Sequence, residues 1–268
     1  MSCVSIQCTP TLRFFVLVYA LSIPWWLLAL FVRQDGLPDN LPVTDVGATF
    51  MPMLAAALRT FSEGGMTGVK ALFARLFDWG RIGQKRWLAV AVLLMPGLYT
   101  LTYVMMSATG LKVPHVWSPS PMLLLIFLAF FTAAVGEEIG YTGYATDKLQ
   151  QRWSALATAL IIGMPWALWH LPSMIQLGQS PRLIALGLAV TVASRVIYLW
   201  IYNKNGQSLF VVTLFHAIAN IGRTAFPGGR PAYELGDGVF SYGLIIALAA
   251  LVAMVAQMKK RPSNAQVG

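Results

Sequence analysis

Residues 136–144 read GEEIGYTGY, and this stretch decides the fold because it ends a long apolar run with two adjacent carboxylates, Glu137 and Glu138. An ionised side chain at the centre of a bilayer costs about 2.5–3.5 kcal/mol on insertion scales. Two glutamates inside a membrane helix are therefore expected to face a polar cavity, to be paired or to be partly protonated. The competing interpretation is that they only mark the depth at which the helix leaves the membrane.

The composition of the whole chain is that of a membrane protein. Hydrophobic residues make up 57% of its 268 residues, charged residues make up 11%, and the mean hydropathy is +0.65. Such a chain is too apolar for an ordinary soluble domain. No polar segment is large enough for a second domain, so we predict a single domain over residues 1–268 with a signature core at about 121–222.

Eight apolar segments predict an all-α fold, a polytopic membrane helical bundle with about eight transmembrane helices. Their approximate bounds are 12–32, 43–61, 87–107, 121–150, 154–174, 183–202, 208–221 and 239–258. We expect the fourth segment to form one long helix from about Pro121 to Gln150, and Pro165 predicts a kink in the fifth. Apolar residues at helical spacing among basic ones predict an amphipathic helix at 69–77, in the headgroup region.

An even number of spans places both termini on one side of the membrane, and the basic residues indicate which side. Eleven of the nineteen Lys and Arg residues fall on the terminal side: Lys70, Arg75, Arg81, Lys85, Arg86, Lys148, Arg152, Lys204, Lys259, Lys260 and Arg261. Five fall on the other side: Arg33, Lys112, Arg182, Arg223 and Arg230. By the positive-inside rule, both termini are predicted to be cytoplasmic. The net charge of +9 then reflects loops that face the anionic lipid bilayer rather than nucleic acid.

The N-terminal region contains both cysteines and the first predicted span. Cys3 and Cys8 allow at most one disulfide bridge and no Cys-x-x-Cys metal site, so we expect free thiols. The first span has the length of a transmembrane helix rather than of a signal-peptide core, and no cleavage pattern follows it. We expect it to be retained.

Polar residues recur inside the predicted spans, and their spacing predicts a shared site. Besides the two glutamates they are His170, Arg195, His216 and Asn220. His216 and Asn220 are related as i and i+4 and project from one helix face, and Trp166 and His170 have the same relation. With a turn near Trp153, Glu137 lies 16 residues before it and His170 lies 17 after it. Two antiparallel helices would therefore bring these side chains to nearly equal depth.

Three short motifs lie in order on separate spans: Glu137-Glu138-x-x-x-Thr142, Trp166-x-x-x-His170 and His216-x-x-x-Asn220. Together they resemble the signature motifs of the CPBP family of intramembrane endopeptidases, which includes type II CAAX-prenyl proteases and bacteriocin-processing or self-immunity (Abi) proteins. The surrounding segments 149–156, 166–172 and 214–217 are also similar to bacterial members. The resemblance implies an integral protein of the bacterial cytoplasmic membrane.

The resemblance also implies a role for each motif residue in peptide hydrolysis. Glu137 would be the general base, His170 would help to hold or activate the water, and His216 and Asn220 would stabilise the oxyanion. We expect four further residues to support the site: Glu138, Thr142, Trp166 and Arg195. A mechanism without a cofactor is favoured. The alternative is a zinc ion on Glu137, His170 and His216, although their spacing is unlike His-Glu-x-x-His.

One position departs from the family pattern, which usually has arginine where this chain has Thr142. An arginine at i+4 from Glu138 could pair with the second carboxylate and fix its charge and orientation, which Thr142 cannot do. The change affects tuning or substrate range more than the reaction, or it marks a degenerate, non-catalytic member. Arg195 is the only basic residue deep in a span, and we expect it either to approach Glu138 as a partial replacement or to extend to an interface.

The sequence thus predicts an intramembrane endopeptidase whose catalytic residues converge on one cavity that opens towards the cytoplasm. Its partner would be a peptide or protein substrate, including lipid-modified or membrane-bound proteins, which the sequence does not identify. Two other classes stay open. A non-catalytic immunity or scaffold protein of the same fold would tolerate the loss of Glu137, whereas a proton-coupled transporter would use the buried glutamates as a relay.

Overall fold

A computed structural model describes residues 9–28, 30–32, 43–111, 113, 120–233 and 239–258, and these ranges contain helices and no strand. The α-helices are α1 (Thr9–Leu28), α2 (Val43–Ala48), α3 (Met51–Ala74), α4 (Lys85–Ala108), α5 (Met122–Glu138), α6 (Asp147–Gln150), α7 (Ala155–Trp169), α8 (Leu171–Gln176), α9 (Pro181–Lys204), α10 (Leu209–Ala225), α11 (Gly229–Tyr233) and α12 (Val239–Met258). A π-helical segment, Ile139–Thr146, joins α5 to α6. Cys3, Cys8 and the basic residues at 259–261 lie outside the described ranges.

Five described helical segments are long and apolar enough to cross a membrane: Pro10–Leu28, Lys85–Ala108, Met122–Gln150, Ala155–Gln176 and Pro181–Lys204. Two shorter apolar helices, Leu209–Ala225 and Ser241–Val255, correspond to the seventh and eighth predicted spans. The all-α polytopic bundle is therefore confirmed, and the chain is an integral membrane protein. The single long helix that was expected from about Pro121 to Gln150 is also confirmed.

The second predicted span, 43–61, was wrong as one helix. The chain forms α2, turns at Thr49 and Phe50, and starts again as α3. Pro52 in the first turn of α3 explains the break, because proline lacks an N–H for the preceding helix and suits the start of a new one. Gly64 and Gly65 later leave the helical conformation, Gly65 with a φ of 61°. This kink separates the apolar part of α3 from the predicted amphipathic segment, which is helical up to Ala74.

One end of the bundle, called the basic end here, joins the segment after α3 to the long helix and to α10. Arg75 donates a hydrogen bond of 2.7 Å to Asp147. Asp78 accepts one of 2.9 Å from the backbone N–H of Leu209 and so caps α10. The basic end therefore contains the start of α10 and the end of the 122–150 segment, together with the basic residues at 70–86.

The opposite end of the bundle, called the distal end here, contains α2, α8 and α11. The hydroxyl oxygens of Thr44 and Ser173 are 2.8 Å apart there. The rings of Tyr99 and Tyr233 meet with 5.1 Å between their centroids. At the distal end α2 thus meets α8, and α4 meets α11.

Two glycines let the long helix approach the turn before α3 closely. A Cβ on Gly136 would lie 2.6 Å from the carbonyl oxygen of Thr49, and one on Gly140 would lie 2.5 Å from that of Pro52. Both neighbours are backbone atoms, which cannot move aside as a flexible side chain can. The α2–α3 turn is therefore fixed beside the two glutamates of α5.

Substituting Gly140 tests this close approach. Gly140→Ala should lower the free energy of unfolding by about 1–3 kcal/mol, because the added methyl group overlaps backbone. The measurement is thermal or denaturant unfolding in detergent. Gly97→Ala in α4 is the matched control, because a Cβ there meets nothing within 4 Å. Equal stability of the two variants would contradict the packing argument.

Candidate active site

Glu137 lies in the last turn of α5 and is held by two side-chain donors. Trp166 Nε1 donates to Oε2 at 2.6 Å, and the Thr49 hydroxyl lies 3.4 Å from Oε1. His170 Nε2 lies 3.9 Å from Oε2, which is too far for a direct hydrogen bond but within reach of one shared water. The predicted approach of Glu137 and His170 is confirmed.

Glu138 forms a buried ion pair with Arg195 behind Glu137. Arg195 Nη1 donates to Oε2 at 2.9 Å and Nη2 donates to Oε1 at 3.2 Å, so the pair is bidentate. Their side chains are 0% and 1% exposed for glutamate and arginine respectively. The guanidinium also lies 4.2 Å from the centroid of the Trp166 ring, a cation–π contact. The expected approach of Arg195 to Glu138 is confirmed, and the alternative of an extension to the interface is not observed.

Thr142 contributes more than the sequence predicted. Its hydroxyl donates to Glu138 Oε2 and accepts from Arg195 Nη1 at 3.3 Å. The prediction that Thr142 cannot orient the second carboxylate was therefore wrong, because a hydroxyl at i+4 reaches the carboxylate. The positive charge comes from Arg195 instead, and the short threonine leaves room for its guanidinium.

His216 and Asn220 lie on the same face of α10, as their spacing predicted, and each is held from one side. His216 Nδ1 is 2.9 Å from Glu138 Oε1. An ionised carboxylate only accepts hydrogen bonds, so this network assigns the proton to Nδ1 and leaves Nε2 for the substrate. Asn220 Oδ1 accepts from Arg223 Nη2 at 2.9 Å. This hydrogen bond orients the amide, because its oxygen rather than its NH₂ group faces Arg223.

A cavity of about 400 Å³ brings together Glu137, Trp166, His170, His216 and Asn220. The predicted convergence of the four catalytic candidates is confirmed. The three other supporting residues do not belong to its lining and form a layer behind it: Glu138, Thr142 and Arg195. The site therefore has a cavity wall that can reach a substrate and a buried ionic layer that holds this wall.

The cavity extends from the middle of the bundle towards the distal end. Its lining includes residues from α2, α8, the C-terminal part of α10 and the N-terminal part of α12, such as Asp45, Ser173, Arg223 and Tyr242. No described residue of the basic end contributes to it. The sequence predicted that the termini, at the basic end, and the opening of the cavity both face the cytoplasm. These two predictions are incompatible, because the cavity extends towards the opposite end of the bundle.

Asp45, Thr49 and Arg223 are among the cavity residues that the sequence analysis missed. The first two lie in the segment that was interpreted as a plain apolar span. Arg223 was counted among the loop charges, although His216, Asn220 and Arg223 are spaced as i, i+4 and i+7. That spacing puts three polar side chains on one helix face and was a usable signal.

The zinc alternative requires three ligands to converge on one point. Among the residues that the structure describes, no group of three His, Cys, Asp or Glu side chains is placed to hold a metal ion. Glu137, His170 and His216 are therefore not grouped as a ready set of metal ligands, and the proposed reaction uses the chain's own residues. Zinc analysis of the purified protein, with an activity assay before and after chelation, separates the two mechanisms.

Comparison with known proteins gives the class that this site resembles. Residues 119–222 match a family model described as Type II CAAX prenyl endopeptidase Rce1-like, and the three motifs lie within that range. The resemblance to the CPBP family of intramembrane endopeptidases is thereby confirmed.

A curated relative supports the same resemblance. It is the CAAX prenyl protease 2 of Methanococcus maripaludis, which is 26% identical over 165 residues, covering 57% of this chain and 60% of that protein. The match thus spans about 60% of the relative's length. The similarity therefore covers only part of this chain and part of the relative.

Removing Arg195 tests the ionic layer. Arg195→Met should lower the free energy of unfolding by about 3–5 kcal/mol, because Glu138 would stay buried without its cation. The double variant Glu138→Gln with Arg195→Met should recover part of the loss, since it removes both charges. Unfolding in detergent is the measurement, and Arg152→Met, at an exposed position, is the control. A single Arg195 variant as stable as this control would contradict the role of the pair.

Proposed function

We propose that this protein is an intramembrane endopeptidase that hydrolyses peptide bonds with a water activated by Glu137, in the manner of a CAAX prenyl protease. The observation that carries the proposal is the convergence of one carboxylate, two imidazoles and one amide on a single cavity. These are the groups that hydrolysis needs as base, as water ligand and as oxyanion donors. The match to the Rce1-like family supports the same class of reaction.

Glu137 is proposed to act first as a base and then as an acid. A water placed between Glu137 and His170, whose facing atoms are 3.9 Å apart, is within reach of both. Glu137 takes a proton from this water as the water oxygen attacks the carbonyl carbon of the substrate. The same proton is then given to the leaving amine. The hydrogen bond from Trp166 keeps the carboxylate in one orientation during both transfers.

His216 and Asn220 are the proposed donors to the oxyanion. Asn220 donates through its NH₂ group and needs no proton transfer. In a neutral His216 the one ring proton lies on Nδ1, which donates a hydrogen bond to Glu138. His216 can therefore donate through Nε2 only as an imidazolium, which has a proton on each ring nitrogen. Glu138 would stabilise that positive charge, as the aspartate of a Ser-His-Asp triad stabilises its histidine. The second carboxylate thus acts on the reaction through His216.

Changing Glu137 tests the reaction. Glu137→Gln keeps the size of the side chain but removes the base, so cleavage should be abolished while the unfolding temperature in detergent stays near that of the wild type. His216→Ala or Asn220→Ala should lower the rate by roughly 10²–10³ if each supplies one oxyanion donor. The assay compares new protein N-termini in membranes that contain the wild type or a variant.

Glu63→Gln is the matched control for Glu137→Gln. Glu63 is a glutamate outside the cavity, bound to Lys148 at 2.8 Å, and its loss should leave cleavage intact. Full proteolysis by the Glu137 variant would refute the proposed role of Glu137 as the base. No cleavage by the wild type would refute the peptidase proposal, and the non-catalytic scaffold or immunity protein would then take its place.

The membrane orientation follows from the basic residues in this proposal. With the basic end and both termini in the cytoplasm of a bacterial cell, the cavity lies in the non-cytoplasmic half of the bilayer. The substrate would then reach the site from the bilayer or from the non-cytoplasmic side. This orientation replaces the expected cytoplasmic opening.

Side-specific labelling tests the orientation. In a background without Cys3 and Cys8, a membrane-impermeant thiol reagent added to intact cells should label Gln179→Cys, which lines the cavity at the distal end. Gln151→Cys lies exposed at the basic end and should be labelled only after the membrane is opened. The reverse pattern would place the cavity on the cytoplasmic side and contradict the positive-inside assignment.

A further inference from the structure

We infer that the basic end of the bundle contains a binding site for the phosphate of an anionic phospholipid headgroup. The site consists of four cations around Trp87, called the headgroup cluster here: Arg81, Lys85, Arg86 and Lys204. None of these residues lines the cavity. Lipid binding at the cluster is therefore independent of the proposed peptidase reaction.

The ring of Trp87 brings two of the cations together. Arg86 Cζ lies 5.6 Å from the ring centroid, and Lys204 Nζ lies 4.9 Å from it. Both distances are within the range of a cation–π contact. Arg86 lies in the first turn of α4, whereas Lys204 is the last residue of α9. The indole therefore gathers two positive charges from helices that are far apart in the sequence.

The turn after α9 holds Arg81 and the start of α4 in place. A Cβ on Gly206 would lie 2.1 Å from the carbonyl oxygen of Arg81, and the φ of Gly206 is 64°. Only glycine combines this close approach with a left-handed backbone at low cost. The side-chain amide of Asn205 donates to the carbonyl oxygen of Trp87 at 3.4 Å. The cations are thus carried by backbone segments that contact one another.

The carboxylates at the basic end are bound elsewhere. Glu63 pairs with Lys148 at 2.8 Å, and Asp147 pairs with Arg75 at 2.7 Å. Asp78 caps α10. Within the described ranges, no carboxylate lies at ion-pair distance from the headgroup cluster. Because like charges repel, an external anion at the cluster would relieve an unfavourable interaction.

The donors of the cluster match a phosphate. A guanidinium offers a planar fork of N–H groups to phosphate oxygens, and an ammonium adds a compact charge. Arg86 Nε donates to Gln84 Oε1 at 2.9 Å, and this bond leaves the two terminal NH₂ groups of Arg86 for a ligand. Arg81 and Lys85 are exposed, and Lys204 is half-buried. A phosphate can therefore approach all four side chains from outside the bundle.

The depth of the cluster identifies the source of the phosphate. Two segments that can cross the membrane have an end in the cluster, since Lys85–Ala108 begins there and Pro181–Lys204 ends there. Phe77 and Trp79 precede Arg81, are 66% and 54% exposed, and have ring centroids 6.0 Å apart. Exposed aromatic rings favour the boundary between headgroups and acyl chains. The expected occupant is therefore a phospholipid of the surrounding bilayer rather than a soluble anion.

Lipid titration of the purified full chain in detergent tests the site. Native mass spectrometry should show tighter binding of phosphatidylglycerol than of phosphatidylcholine with the same acyl chains. Each cation near an anionic headgroup contributes about 5-fold in affinity. Arg86→Gln combined with Lys204→Gln should therefore weaken phosphatidylglycerol binding by roughly 25-fold and leave phosphatidylcholine binding unchanged.

A second double variant separates a site from net charge alone. Lys70→Gln combined with Arg152→Gln also removes two exposed cations but none of the cluster, and it should keep the wild-type ratio of the two affinities. A misfolded variant would lose both lipids, so the ratio distinguishes misfolding from a lost site. An equal fall of the ratio in the two double variants, or a wild-type ratio near one, would overturn the inference.

Two measurements on the wild type need no variant. Raising the salt concentration from about 0.1 M to about 0.5 M should lower the ratio, because the cluster is exposed and its charges are screened. A ratio that does not depend on salt would overturn the inference. Inorganic phosphate at the concentration of the lipid should not displace phosphatidylglycerol. Displacement would contradict the assignment of a lipid as the occupant.

Discussion

The buried pair of Glu138 and Arg195 is the interaction on which the rest of the site depends. It joins α5 to α9, and the same carboxylate binds His216 of α10. Trp166 of α7 lies over the guanidinium and donates to Glu137. Because removing one partner of such a pair leaves an uncompensated charge in a low-dielectric interior, these helices are constrained to meet at one point. The pair therefore positions His216 and Trp166, and through Trp166 also Glu137, besides neutralising a charge.

The sequence predicted those parts of the site that appear as polar residues in apolar helices. Glu137, His170 and His216 are such residues. A turn near Trp153 predicted that Glu137 and His170 meet, and the resemblance of the three motifs to the family's signature added His216. The α2–α3 turn was not predictable, because its contact with Glu137 depends on a backbone approach between segments far apart in the chain. Arg223 was missed for a local reason. The seventh span was ended at 221, whereas α10 continues to Ala225, which places this arginine on the helix face that lines the cavity.

The depth of the cavity could not be derived from hydropathy. Glu137 lies near the middle of the segment Met122–Gln150, so the apolar pattern around it is compatible with access from either side. The sequence analysis predicted that the cavity opens towards the cytoplasm, the side to which the basic residues were assigned. Instead the whole segment Ile139–Thr146 is buried by protein, and the open space lies on the other side of the glutamates. The side of the glutamates on which the cavity lies therefore depends on packing between helices rather than on the pattern along one helix.

The π-helical segment Ile139–Thr146 affects the directions in which the long helix presents Glu137 and Asp147. Hydrogen bonds from i to i+5 make a wider turn, so each residue advances by a smaller angle than in an α-helix. The parts before and after the segment therefore differ in rotational phase from one uninterrupted α-helix. Glu137 can face the cavity while Asp147 faces Arg75 at the basic end. A change that converted these π turns to α turns would rotate one of these carboxylates out of alignment with its partners.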